Sequence, residues 1–112
     1  GYSTEEETAE SIHDTYQKTG YVMDTHTAVA AHVCGQYRAK SGDQTKCVIA
    51  STASPYKFVK SVMSAIDAEN ANADEFDLLP KLQEVSGVPM PQAIKDILDA
   101  IDRFVYFENR KK

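Results

Sequence analysis

The sequence is short of the features that mark several protein classes. It holds two cysteines, Cys34 and Cys47, and no CxxC pair. Each thiol sits in an apolar segment, so both read as small buried hydrophobes of a reducing compartment rather than as a disulfide. His13, His26 and His32 add no ligand-like spacing to them, and no metal site is expected. No apolar run approaches the roughly 20 residues of a membrane span. No charged-then-apolar leader opens the chain, so a signal peptide is not expected and a cytoplasmic location is. Positive charge is also scarce. Twelve basic against 17 acidic residues leave a formal charge of −5. That balance argues against a broad nucleic-acid surface.

What is present is an ordinary globular composition. Of 112 residues, 42% are apolar and 26% charged. One domain, residues 1–112, is the default at this length, with about two thirds of the unfolded surface available for burial.

The chain is organised around residues 46–58, KCVIASTASPYKF. Cys47 to Ala50 is apolar without alternation, which predicts a short strand covered on both faces, as in a parallel sheet. Ser51, Thr52 and Ser54 follow, and Pro55 suits the first position of a helix with Ser54 as its N-cap. Two readings fit the hydroxyls. They cap a helix and close a loop, or they bind a ligand beyond the carboxyl end of the strand.

Helical spacing organises the rest. A first helix is expected from Thr4 to about Lys18, with Ser3 and Glu6 as a capping box, a thin stripe of Ala9, Ile12 and Tyr16, and Gly20 as its stop. His13 reads as a surface residue. Asp24 is the N-cap candidate of a second helix from about Thr25 to Ser41. Its apolar face is His26, Val29, Ala30, Val33, Cys34 and Tyr37, and Gly42 ends it. On that face His26 either packs or hydrogen-bonds a ligand, whereas His32 lies off it and is solvated. A third helix runs from Pro55 to about Asp67 on Phe58, Val59, Val62, Met63 and Ile66. Lys57, in its first turn, either packs its stem or meets an anion at the helix N-terminus. Residues 68–75 read as a mobile polar loop. A fourth helix covers about Leu78 to Ser86, with its cap near Asp77 so that Pro80 falls in the first turn. Pro91 opens the last, with Ile94, Ile97, Leu98 and Ile101 as its stripe. Phe104–Phe107 either continues that helix or forms a short strand, and 108–112 is a frayed charged tail.

The fold class expected is therefore a helix-rich α/β fragment: about five helices around one short buried strand. A lone strand cannot satisfy its backbone polar groups. Either it pairs with a second copy, or the chain is a piece of a larger α/β protein whose parallel sheet it joins; the second is the better fit.

Three stretches resemble threonine synthases. Tyr16 to Ala30, Tyr-Gln-Lys-Thr-Gly-Tyr-Val-Met-Asp-Thr-His-Thr-Ala-Val-Ala, resembles that family's G-Y-V-x-D-P-H-T-A-V-A stretch. Val48 to Phe58 resembles its V-I-A-S-T-A-S/H-P-Y-K-F, and Ser86 to Gln92 its S-G-V-P-x-P element. The blocks keep the family's order, and the likeness spans about residues 3–101. One departure is Thr25, where the family has proline; it loosens the helix start and leaves the chemistry intact.

The resemblance implies a C-terminal portion of a pyridoxal-phosphate enzyme of the tryptophan-synthase β-like fold, a lyase of threonine biosynthesis. It converts O-phospho-L-homoserine and water to L-threonine and phosphate. It implies that Thr52 faces the pyridine nitrogen of the cofactor, flanked by Ser51 and Ser54. It sets His26 and Thr27 on the substrate side, with Lys57 as a further candidate there. It also implies that the lysine bonded to the cofactor belongs to a segment outside these 112 residues. No catalytic residue is thus assigned here. The isolated chain is expected to be inactive and to bind no cofactor, and its partner is the remainder of the enzyme. The competing reading is a free-standing acidic helical interaction module, or a homodimer that pairs two copies of the strand, without catalysis.

Overall fold

The computed structural model describes residues 1–110 and shows five helices. They are α1 (Glu5–Thr19), α2 (Thr25–Ser41), α3 (Val59–Ile66), α4 (Glu75–Ser86) and α5 (Gln92–Arg110). Short 3₁₀ turns at Pro55–Phe58 and Ala68–Asn72 flank α3. The centre of the packing is α3, whose Val59, Val62 and Met63 are buried. It lies against α1 and α4, and α2 covers the other side of α1. Ile12, Val22, Met23, Ala28, Tyr56, Leu78, Leu79, Leu82 and Met90 complete the core around it.

Helix boundaries follow local chemistry. Thr4 caps α1 by accepting from the Glu7 amide at 3.1 Å, one residue later than the Ser3 box expected. Ser3 instead pairs its hydroxyl with Thr8 at 2.9 Å. Asp24 caps α2. Gly20, Gly42 and Gly87 close α1, α2 and α4 at φ of 75°, 71° and 70°, a left-handed region that a Cβ disfavours. Helix α4 starts three residues earlier than Leu78, because Asp74 accepts from the Phe76 amide at 2.9 Å. Pro80 therefore sits inside it. The polar stretch after α3 is also ordered. Asp67 caps it through Glu69, and the buried Asn70 donates to the Met63 carbonyl at 2.9 Å.

The expected buried strand and its sheet are absent among the described residues. Residues 44–53 run extended, with no backbone–backbone hydrogen bond to another segment. Val48 is 91% exposed and Cys47 is exposed. An apolar run that lacks alternation signals cover on two sides, but no neighbouring backbone here is free to pair with it. The helices have consumed theirs. Cys34 is half-buried, so the two cysteines are not core residues either.

Helix α2 is turned differently from its hydropathy. Thr27 and Ala28 are buried and Ala31 partly so, while Val29 and Tyr37 are exposed. Small residues let α1 approach closely, and that decides the face. His32 is half-buried, with its Nε2 2.6 Å from Glu7 Oε2 on α1, rather than solvated. Helix α5 continues through Phe104–Phe107 as a helix. Ile94 and Leu98 pack against the core, while Ile97, Phe104 and Val105 are exposed. Lys111 and Lys112, the end of the expected tail, lie outside the described residues. No described helix is long and apolar enough to cross a membrane.

Candidate functional site

Asp24 organises the region that the hydroxyl run points to. Its carboxylate is 1% exposed and closes the N-terminus of α2. One oxygen accepts from the amides of His26 at 2.9 Å and Thr27 at 3.1 Å. The other accepts from the Thr27 hydroxyl and from Ser51 Oγ at 3.2 Å. Thr27 Oγ1 also lies 3.0 Å from Ser51 Oγ. Burial acts to raise the Asp24 pKa. The hydrogen bonds from Thr27, Ser51 and the His26 amide outweigh it and hold the carboxyl below its usual range. The result is a buried anion satisfied by hydroxyls and amides, and it fixes the extended segment to α2 at Ser51.

The neighbouring hydroxyls have different duties. Ser54 Oγ accepts from the Tyr56 amide at 3.2 Å, and its carbonyl accepts from Lys57 N at 3.1 Å, so it caps the 3₁₀ turn. Thr52 is exposed, and its hydroxyl has no partner among the described residues. Two anchored serines thus hold between them a threonine whose hydroxyl is free.

His26 and Lys57, both exposed, converge on Phe58. The His26 ring centroid is 5.6 Å from that of Phe58 at an interplanar angle of 44°. The Lys57 ammonium stands 5.6 Å from the same ring, within cation–π range. His26 Nδ1 is 3.8 Å from Asp24 Oδ2. The structure thus brings together His26, Thr27, Ser51 and Lys57 around Asp24 and Phe58, with Ser54 and Thr52 on the adjoining segment. Beside Phe58 opens a groove of about 540 Å³ between α1, α2 and α3. Ser3, Thr8, Ile12, Val29 and Ser61 line part of it, and Glu5 is its one ionisable group among the described residues. It holds no cation for a phosphate.

Sequence reasoning took Asp24 only as a cap and Phe58 only as core. Asp24-x-x-Thr27 announces the cap. Nothing local announces that Ser51, 27 positions further on, closes the same carboxylate.

The model of the family described as "Threonine synthase, C-terminal" matches residues 27–111. The chain belongs to that family. The match begins at Thr27 and covers both the hydroxyl run and the Tyr56–Phe58 turn. Curated relatives named "Threonine synthase-like 1" agree. The mouse protein is 33% identical over 90 residues, 80% of this chain and 12% of its own length. The human protein is 31% identical over 88 residues, 79% of this chain and 11% of its own. The orangutan (Pongo abelii) protein is 32% identical over a similar span. The chain thus spans about an eighth of the length of these threonine synthase-like relatives.

Proposed function

We propose that this threonine synthase C-terminal segment supplies the side of a pyridoxal-phosphate site that faces the ring nitrogen, with Thr52 as the contact. The observation that carries the reading is the division of labour among three hydroxyls. Ser51 is spent on Asp24, Ser54 on the Tyr56 amide, and Thr52 between them is left over. An anchored loop with one unspent hydroxyl fits a ring nitrogen, which needs one hydrogen-bond partner.

When bound, the cofactor supplies an electron sink for carbanion chemistry on an amino acid. Thr52 brings no charge to that nitrogen. It offers a single hydrogen bond, and unlike a carboxylate it does not hold the nitrogen protonated. Ser51 and Ser54 set the position of the Thr52 backbone from either side. Thr27 keeps Ser51 in place through the shared carboxylate. His26 and Lys57 stand on the same side of the molecule as donors toward a substrate, with Phe58 holding both.

The reaction proposed is that of O-phospho-L-homoserine with water to give L-threonine and phosphate. No lysine of this chain is assigned to the covalent bond with the cofactor. Its place is taken to be in the remainder of a longer polypeptide, as the length of the relatives supports. Exposed Val29, beside the groove at Phe58, suits packing against that remainder. The isolated 112 residues are accordingly proposed to be inactive.

The test is Thr52→Ala in the complete protein, with phosphate release from O-phospho-L-homoserine as the readout. The loss of one hydrogen bond of about 1.4 kcal/mol predicts roughly tenfold slower turnover, with the fold unchanged. Thr52→Ser should recover most of it. Wild-type turnover in Thr52→Ala overturns the reading.

A further inference from the structure

We propose that Cys34 and Cys47 form a redox pair that closes to an intrachain disulfide by exchange with a small-molecule disulfide of the glutathione type. The geometry comes from the last turns of α2. Cys34, Tyr37 and Arg38 share one face of that helix, at i, i+3 and i+4. Tyr37 Oη donates to Asp43 at 3.0 Å, and Arg38 Nη2 donates to the Thr45 carbonyl at 2.9 Å. Asp43 in turn accepts from the Thr45 amide at 2.9 Å and from its hydroxyl at 2.6 Å. The chain after Gly42 is thereby folded back along α2, with Thr45 level with Arg38.

Cys47 lies two residues beyond Thr45, about 6.6 Å further on in an extended chain. Cys34 lies four residues before Arg38, about 6 Å back along the helix axis. The two cysteines therefore reach the same level. Both line one small pocket of about 190 Å³, together with Tyr37, Arg38 and Asp43. Cys47 is exposed and Cys34 half-buried. The Cys34 thiol in the same pocket pushes the Cys47 thiol above its usual pKa, burial adds to this, and Arg38 opposes it.

The chemistry is thiol–disulfide exchange. The accessible Cys47, as thiolate, attacks one sulfur of glutathione disulfide and expels one glutathione thiolate, which takes up the proton that Cys47 lost. Cys34 then attacks the Cys47 sulfur of the mixed disulfide and expels the second glutathione, which takes up the second proton. Two protein thiols are oxidised and one glutathione disulfide is reduced to two thiols. The product ties the start of the extended segment to α2. Ser51 already ties it further along, so residues 48–50 become a bridge clamped at both ends. The inference does not depend on the role given to Thr52.

The experiment is intact mass and peptide mapping after equilibration in a glutathione redox buffer. The expected product is lighter by two hydrogens and carries a Cys34–Cys47 linked peptide. Cys34→Ser and Cys47→Ser should each instead gain one glutathionyl group, Cys47→Ser more slowly. The folded protein should close at a glutathione disulfide level at least roughly tenfold below that needed in urea, because the fold holds the thiols together. Two glutathionyl groups on the wild type, no modification, a disulfide between chains, or equal levels with and without urea would each overturn the proposal.

Discussion

Replacing Asp24 by alanine tests the knot that joins the extended segment to α2. The substitution removes the N-cap of α2, which costs about 1 kcal/mol. It also takes the acceptor from the Thr27 hydroxyl, in a residue that is 7% exposed. Ser51 Oγ, 3.0 Å away, remains as a second partner. The additional loss therefore falls near the low end of the range for a buried group, about 1 kcal/mol. Together these give about 2 kcal/mol, or a fall in Tm of roughly 8–16 °C for a domain of this size. Asp24→Asn is the control. Its amide oxygen still serves the two backbone amides and its NH₂ meets the hydroxyl oxygens, so its loss should stay under about 1 kcal/mol. The sign with pH follows from the lowered pKa of Asp24. The folded state binds the proton less tightly than the unfolded one. The stabilisation is thus present above the unfolded value, about 3.9, and is lost as pH falls through the lower folded value. Thermal unfolding by circular dichroism at neutral pH and at a series of acid pH values reads both effects. A melting point for Asp24→Ala within about 2 °C of wild type refutes the reasoning. So does an acid limb as steep in Asp24→Asn as in the native chain.

Tyr56→Phe deletes the hydroxyl that donates to the Val88 carbonyl at 2.5 Å; a urea titration should show a loss of about 1 kcal/mol. Burial raises the Tyr56 pKa, against a hydrogen bond from Ser86, so the wild type should also lose this stability as pH climbs through the folded value, and the phenylalanine variant should not. Asn70→Ala leaves the Met63 carbonyl without its side-chain donor and Lys81 without its 3.2 Å acceptor; a loss of roughly 1–3 kcal/mol is expected in the same titration.

The helix ends were readable because their chemistry is local. Asp24 caps α2, and Gly20, Gly42 and Gly87 stop their helices where the sequence pattern expects a left-handed residue. The stripe of α3 was readable because Val59, Val62, Met63 and Ile66 face one core; Phe58, one residue before the helix, turns to the groove instead. The turn of α2 was not. Hydropathy favours Val29 and Tyr37, but Ala28, fully buried, decides how near α1 comes, and small size is not an apolar signal. The run from Cys47 to Ala50 misled for a related reason. Composition reports what a segment suits, whereas a strand also requires a partner backbone. Of the candidate site, Thr27 was legible as part of a capped helix start. Its pairing with Ser51 depends on how the chain returns after Gly42, and that return rests on Arg38 reaching Thr45. His26 and Lys57 were visible one by one; their shared ring, Phe58, was not.

The shape of the chain also governs how the molecule tumbles. The principal extents are 65, 25 and 23 Å, and the Cα radius of gyration is 17.2 Å. A compact chain of this length has about 13 Å. A body so elongated spins about its long axis faster than it turns end over end. Nitrogen-15 relaxation rates should therefore sort the helices by their tilt to that axis, even where every amide is equally rigid. A single isotropic correlation time fitted to such data would misread orientation as internal motion.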